Sequence, residues 1–94
     1  MFNNLDPLLH SQLRLAVMSL LMSVEEADFV WLKEQTQATS GNLSVQLEKL
    51  SKAEYIQILK TFKGKYPHTI CRKTSKGVAA FEKYVQDLNQ YLKV

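Results

Sequence analysis

The sequence contains little of several residue types, and each shortage excludes a class of protein. A single cysteine among 94 residues excludes an internal disulfide. Three glycines and two prolines are too few for a low-complexity or linker-rich chain, so we expect an ordered chain without repeats. No apolar run approaches the roughly 20 residues of a membrane-spanning helix. The start, MFNNLDPLLH, lacks a basic stretch before an apolar segment, so we expect no secretory signal and a cytoplasmic protein.

Catalytic and metal-binding patterns are also missing. No serine, cysteine or threonine stands in a nucleophile motif, and no glycine-rich phosphate loop is present. His10 and His68 are isolated, and Cys71 falls in a predicted strand, where a small buried side chain is more usual than a redox sensor. We therefore predict no enzyme activity, no metal and no cofactor, with residues 1–94 forming one small domain.

Positive charge is concentrated in one segment. The net charge is +3, but residues 1–54 sum to −3 and residues 77–94 to zero. Residues 55–76 hold six lysines and arginines and no acidic residue. Such a segment is suited to contact with a polyanion.

The first two predicted helices occupy the first third of the chain. Residues 13–22 are apolar on two faces, and the second face predicts contact with another copy of the protein. Residues 25–35 predict a second helix, with acidic residues in its first turn, where they favour the helix dipole. Thr39 is then expected to cap a third helix. In that helix the leucines at 43, 47 and 50 face inward, which turns its polar front outward.

A hairpin and a long helix are predicted to follow. YIQILKTF and HTICRKT are rich in β-branched and aromatic residues and are separated by KGKYP, which predicts a β-hairpin with a basic tip. After Thr74, apolar residues recur at spacings of three and four and predict a helix seam, which Tyr84 and Tyr91 widen. The residues predicted at a homodimer interface are Leu15, Met18, Met22, Phe81, Val85, Leu88 and Leu92.

The order of these elements is that of a winged helix-turn-helix, mainly α with a small β-hairpin wing and a long C-terminal helix. DPLLHSQLRLAVMSLL, ADFVWLKEQTQATSGNLSVQLEKLSKAEYI and KTFKGKYPHTICRKTSKGVAAFEKY together resemble the small stand-alone winged-helix transcriptional regulators related to the MarR and ArsR types. The most specific part is GNLS, followed by spaced leucines and a basic hairpin. The resemblance covers nearly the whole chain.

The resemblance implies sequence-specific binding of double-stranded DNA by a homodimer. The third helix, about residues 40–52, would enter the major groove, and the wing, about residues 55–74, would contact the backbone or the minor groove. Asn42 and Gln46 have amides able to pair with adenine, and Val45 has methyls that suit thymine. The DNA-binding residues implied are Ser40, Gly41, Asn42, Ser44, Val45, Gln46, Lys49, Lys60, Lys63, Lys65, Tyr66 and Arg72.

Three positions depart from the family pattern. Gln37 stands where the turn before the recognition helix usually has glycine, which predicts a turn that is strained or differently shaped. Lys73 replaces the usual leucine at the end of the second wing strand, which predicts exposure of that strand end. Val78 follows Gly77, where arginine is common, and removes one positive charge from the start of the last helix.

Two alternative interpretations stay open at this stage. The polar start of the third helix is also typical of a capped and solvated helix end, and lysines on a hairpin also protect a sheet edge. The acidic first half of the chain is compatible with a winged-helix protein-interaction module that does not bind DNA. The sequence specifies no small-molecule effector.

Overall fold

Four helices and a three-stranded antiparallel sheet make up the computed structural model, which describes residues 2–93. The elements in chain order are α1 (Gln12–Met22), β1 (Ala27–Asp28), α2 (Phe29–Thr36), α3 (Ser40–Lys52), β2 (Ile56–Lys63), β3 (Tyr66–Lys73) and α4 (Ser75–Leu92). The strand order is β1-β3-β2. The predicted fold class, helical with a hairpin wing and a long last helix, is confirmed.

The core lies where α1, α2 and α3 meet the base of the hairpin. Leu43 and Leu50 of α3 and Leu21 of α1 are fully buried. Burying a leucine side chain stabilises a fold by about 1.5–3 kcal/mol relative to leaving it exposed, so these residues fix α3 against the body. The other fully or almost fully buried apolar residues are Leu9, Val17, Met18, Leu32, Leu47, Ile56 and Cys71.

The prediction for the second helix was wrong at its start. Residues 25 and 26 precede the helix, and α2 begins at Phe29 after the short strand β1. Asp28 caps α2, because its Oδ1 accepts a hydrogen bond from the Trp31 backbone N–H at 2.8 Å. That hydrogen bond lowers the pKa of Asp28 below its usual value. Ala27 of β1 pairs with Cys71 of β3, a contact between segments far apart in sequence.

Lys73 does not leave the strand end exposed, contrary to the sequence-based prediction. The side chain is half-buried, and its Nζ donates a hydrogen bond to the Val24 carbonyl oxygen at 2.6 Å. The aliphatic stem thereby covers the strand end while the ammonium satisfies a loop carbonyl. Lysine replaces leucine here without opening the sheet.

The turn between α2 and α3 contains a left-handed residue, as the missing glycine predicts. Gln37 has φ +57° and ends α2. A side chain in this conformation costs about 1–2 kcal/mol, whereas glycine adopts it readily but loses more entropy on folding. The left-handed conformation of Gln37 therefore lowers the free energy of unfolding.

Replacing Gln37 with glycine is expected to raise the free energy of unfolding by about 0.5–1 kcal/mol, since relief of strain exceeds the added entropy loss. Urea denaturation measures this change. Gln35→Gly is the matched control, because Gln35 lies inside α2 and its replacement should destabilise by a similar amount. Equal destabilisation by both variants would contradict the account of the turn.

The buried face of α4 differs from the predicted seam. Gly77, Tyr84 and Asp87 are buried, so Tyr84 is the centre of the inner face and not its flank. Val85 and Leu92 point away from the body and are 40% and 69% exposed. The rotation follows from the N-terminal segment, which packs along α4 and hydrogen-bonds to its polar residues.

Those polar contacts account for a buried carboxylate in α4. Asp87 Oδ2 accepts a hydrogen bond from Lys83 Nζ at 2.7 Å, and Oδ1 accepts one from Asn3 Nδ2 at 2.9 Å. Both contacts stabilise the ionised form and lower the pKa of Asp87. At the other end of the segment, the His10 ring and the Tyr84 hydroxyl lie 2.9 Å apart.

Candidate nucleic-acid interface

The start of α3 is held firmly and displays its polar residues. Thr39 caps the helix as predicted, and its Oγ1 accepts a hydrogen bond from the Asn42 backbone N–H at 3.1 Å. The buried leucines of α3 fix the rotation of the helix, so the opposite side faces solvent. The predicted DNA-binding residues that are exposed on α3 are Ser40, Gly41, Asn42, Ser44, Val45 and Lys49.

Gly41 has no internal reason to be glycine. A Cβ built on this residue would meet no atom within 4 Å, and its φ lies outside the left-handed region. Glycine in a helix costs about 0.5–1 kcal/mol relative to alanine, and here no packing contact offsets that cost. The absence of a side chain leaves the backbone N–H groups at the helix start open to an anion.

Gln46, predicted to contact DNA, is less exposed than the other predicted residues of α3. It is half-buried, and its Oε1 accepts a hydrogen bond from Arg14 Nη1. Its Nε2 donates to Asn42 Oδ1 at 3.0 Å. Asn42, by contrast, is exposed to solvent. Through this hydrogen bond, Gln46 holds the Asn42 side chain in position.

Arg14 was missed as a functional candidate by sequence reasoning. It is the one charged residue of α1, a helix that is otherwise mostly apolar. That isolation was the available signal, because a lone cation on a core helix needs a polar partner. Its contact with Gln46 spans 32 positions and cannot be read from local spacing.

The wing projects its basic tip beyond the core. Lys63 pairs with Tyr66 across the hairpin, and Gly64 occupies the left-handed region at φ +65° in the turn. Side chains alternate along a strand, so Lys60 shares its face with the core residues Ile56 and Ile58. Lys63 therefore lies on the opposite face. The tip presents positive charge on both sides.

Helix α3 and the wing form one continuous surface. Ser44 and Glu48 of α3 and Lys60 and Thr69 of the wing line the same open cleft. Lys60, Lys63 and Lys65 are exposed, and none of them belongs to the ion pairs found among residues 2–93. Lys63 lies near enough to Asp28 for its charge to add to the Trp31 hydrogen bond in lowering the pKa of that carboxyl. Glu48 lines the cleft beside Lys60.

Phe62 is a second candidate that the sequence-based prediction omitted. Its side chain is 71% exposed, and Tyr66 on the neighbouring strand is 78% exposed. Phe62 lies on the core-side face of β2, beyond Lys60. The interruption of the apolar alternation by Lys60 was the signal that Phe62 lies past the end of the core.

Arg72 lies away from the tip of the wing and has an acidic partner within the chain. It pairs with Gln57 near the base of the hairpin. Its Nη2 lies 2.7 Å from Glu26 Oε1, so its charge is matched by an acidic residue before β1. Arg72 therefore connects β3 to the segment before β1, and its DNA contact stays a prediction.

Cys71 is buried and both histidines lie within hydrogen-bond distance of other side chains, as predicted. Cys71 is fully buried, and burial raises the pKa of its thiol to about 11, so the reactive thiolate is scarce at neutral pH. His68 Nε2 lies 3.3 Å from Asp28 Oδ2. Within residues 2–93, no three histidine, cysteine or acidic side chains lie close enough together to hold a metal ion.

A second surface, the apolar strip of α4, is made of Phe81, Val85, Leu88 and Leu92. Val85 and Leu92 are exposed, while Phe81 and Leu88 are partly covered by the core. Met18 was predicted at a dimer interface, but it is fully buried within one chain and is excluded from such a surface. Leu15 and Met22 are half-buried.

In the part of the chain that the structure describes, no helix has the length and hydropathy to cross a membrane.

The fold and sequence are similar to those of known proteins. An uncharacterised protein of Methanocaldococcus jannaschii is 34% identical over 85 residues, which cover 89% of this chain and 91% of that protein. A transcriptional regulator homologue from Pyrococcus horikoshii OT3 has the same fold, with a TM-score of 0.84, 21% identity, and coverage of 92% of this chain and 85% of that one.

The resemblance to MarR-type proteins is confirmed for the fold. A mutant MarR of E. coli, solved in complex with operator DNA, matches with a TM-score of 0.73 and 21% identity. The match covers 94% of this chain and 68% of that one. The family model described as a winged helix DNA-binding domain matches residues 13–92. The chain therefore belongs to the winged helix DNA-binding domain family.

Proposed function

We propose that the protein is a transcriptional regulator that binds specific sequences in double-stranded DNA. The observation that carries the proposal is the cleft in which Ser44 of the exposed front of α3 lies beside Lys60 of the wing, with the exposed Lys63 and Lys65 at the tip of the hairpin. Helix α3 enters the major groove, and the wing lies on the adjacent backbone or minor groove. We expect the protein to act in the cytoplasm and without catalysis.

The wing lysines, the start of α3 and the later exposed residues of α3 make different contacts with DNA. The wing lysines Lys60, Lys63 and Lys65 contact phosphates and contribute affinity that falls with salt. The open helix start at Ser40 and Gly41 offers backbone N–H groups to a phosphate. Further along α3, the exposed side chains meet base edges, and the methyls of Val45 suit a thymine methyl.

A mixed-sequence duplex tests the DNA-binding class without knowledge of the operator. Fluorescence anisotropy should show binding in the micromolar range at low salt, weakening steeply between about 50 and 200 mM salt. A duplex selected from random sequence should then bind about 10³-fold or more tightly than the mixed duplex. Absence of binding at low salt would reject the regulator and leave the fold unchanged.

We propose further that the regulator is a homodimer joined through the apolar strip of α4. Val85 and Leu92 of the strip lie on the side of α4 away from its own core, and Phe81 and Leu88 lie at the border of the core, so a second copy can cover the exposed part of the strip. Two copies related by a two-fold axis would place their recognition helices about 34 Å apart, on half-sites of a palindromic operator.

Replacing Val85 and Leu92 with aspartate is expected to convert the dimer to a monomer, because four carboxylates would lie in the shared interface. Both side chains are exposed in the single chain, so its fold should persist. Sedimentation equilibrium at micromolar concentration measures the mass. Ala79→Asp combined with Gln86→Asp is the control, since both residues are exposed elsewhere on α4. A monomeric wild type would reject the interface.

The exposed aromatics of the wing support one alternative, a protein-interaction module. Phe62 and Tyr66 are large side chains of the kind that anchor protein interfaces. Retention on a column of immobilised duplex DNA distinguishes the two functions. Wild type should elute at higher salt than a variant with acidic residues in place of the wing lysines, whereas a protein-interaction module predicts little difference at physiological salt.

A further inference from the structure

Three polar side chains connect α1 to the DNA-facing side of α3. Arg14 Nη1 donates a hydrogen bond to Gln46 Oε1, and Gln46 Nε2 donates to Asn42 Oδ1 at 3.0 Å. We propose that this hydrogen-bond relay of Arg14, Gln46 and Asn42 fixes which end of the Asn42 side-chain amide faces the DNA. Asn42 then selects guanine over adenine at the base pair that it contacts. The inference rests on the proposed DNA-binding function and assigns Arg14 as a positioning residue.

The chemistry of the three groups determines the direction of the relay. A guanidinium donates hydrogen bonds and accepts none, so Gln46 must turn its oxygen towards Arg14. The Gln46 amino group then faces Asn42 and donates a hydrogen bond, so Asn42 must present its side-chain oxygen as the acceptor. Asn42 is exposed, so its amino group points to solvent as a donor. The orientation of both side-chain amides therefore follows from the fact that Arg14 can only donate.

Arg14 is itself fixed in place. Its Nε donates a hydrogen bond to the Leu8 carbonyl oxygen at 2.6 Å. That carbonyl belongs to a short turn in which the Leu8 backbone N–H donates to Asp6 Oδ1 at 2.9 Å. Leu9 anchors the same turn in the core. Among the ion pairs of residues 2–93, none includes Arg14, so no carboxylate competes with Gln46.

The outward amino group of Asn42 matches a base edge made of acceptors. Guanine offers N7 and O6 in the major groove, whereas adenine offers one acceptor beside its N6 amino group. The pairing of asparagine with adenine needs an outward carbonyl oxygen, and in this protein that oxygen is engaged by Gln46. The sequence-based expectation of adenine is therefore replaced by guanine.

Selection of duplexes from a random library measures the base preference directly. An Asn42→Ala variant first marks the position that Asn42 reads, because the preference there should disappear. At that position the wild type should enrich guanine over adenine by about tenfold. Equal enrichment of the two bases, or enrichment of adenine, would overturn the inference.

The Gln46→Glu variant is the decisive comparison. Its carboxylate still accepts from Arg14 but has no amino group, so Asn42 must turn its own amino group inward and its oxygen outward. The preference should move from guanine to the bases with an exocyclic amino group, adenine or cytosine. An unchanged guanine preference would refute the relay, even where the added charge lowers overall affinity.

Arg14 variants test the positioning role. Arg14→Met should abolish the guanine preference while binding of mixed-sequence DNA persists, and Arg14→Lys should restore part of it, because lysine also only donates. In the free protein, the NMR signals of the Asn42 and Gln46 side-chain amides should shift in Arg14→Met. Unshifted amides would overturn the relay. DNA binding with an unchanged preference defeats this inference alone, whereas absence of any DNA binding defeats the proposed function as well.

Discussion

A double variant with glutamate in place of Lys63 and Lys65 is expected to bind duplex DNA about 100-fold more weakly near 0.1 M salt. Each phosphate contact contributes roughly a factor of ten at this ionic strength, because binding releases condensed counterions. Both lysines are exposed, and neither belongs to an ion pair among the described residues. The slope of log K against log salt should flatten by about 1.8 per bound chain.

A matched control separates a local contact from the change in total charge. Gln86→Glu, Gln90→Glu and Lys93→Glu together also remove four charge units, at exposed positions in the second half of α4 and just after it. This triple variant should retain the wild-type slope and most of the affinity, since only long-range attraction is reduced. Equal losses in the two variants would show that the wing makes no direct contact with DNA.

Replacing Gly77 with alanine is expected to destabilise the protein by about 3 kcal/mol, a large part of the total for a small domain. A Cβ on this residue would lie 2.1 Å from the Tyr55 carbonyl oxygen, far inside contact distance. The same carbonyl accepts a hydrogen bond from the Thr74 backbone N–H at 3.1 Å, so it cannot move without loosening the cap of α4. Urea denaturation measures the effect.

Gly41→Ala is the control for this experiment, because Gly41 occupies the first turn of α3 just as Gly77 occupies that of α4. A Cβ there meets open space, so the variant should be as stable as the wild type or up to about 1 kcal/mol more stable. Equal stability of both variants would refute the close approach of α4 to Tyr55. Weaker DNA binding by a stable Gly41→Ala protein would place a phosphate at the start of α3.

Local signals predicted much of this structure. The spacing of Leu43, Leu47 and Leu50 fixed which side of α3 is buried, and Thr39 marked its first turn. Helix periodicity and capping depend on residues within one or two turns, so they can be read from a short window. The exposed front of α3 and the basic tip of the wing were predicted for this reason.

Contacts between distant segments were not predictable in the same way. The strand β1 has two residues and exists because Ala27 and Asp28 pair with β3. The contact of Arg14 with Gln46 depends on how α1 packs on α3, and the buried face of α4 depends on the N-terminal segment. In each case the deciding neighbour lies tens of residues away, where periodicity carries no information.

Helix α3 and the wing should bind DNA together as one surface. An NMR titration of the isotope-labelled protein with a duplex tests it most directly, because each backbone amide reports on its own surroundings. If both elements contact the duplex, the largest shifts should fall on residues 40–46 and 60–66, including Gly41 and Gly64. Shifts confined to α4, or none at low salt, would contradict it.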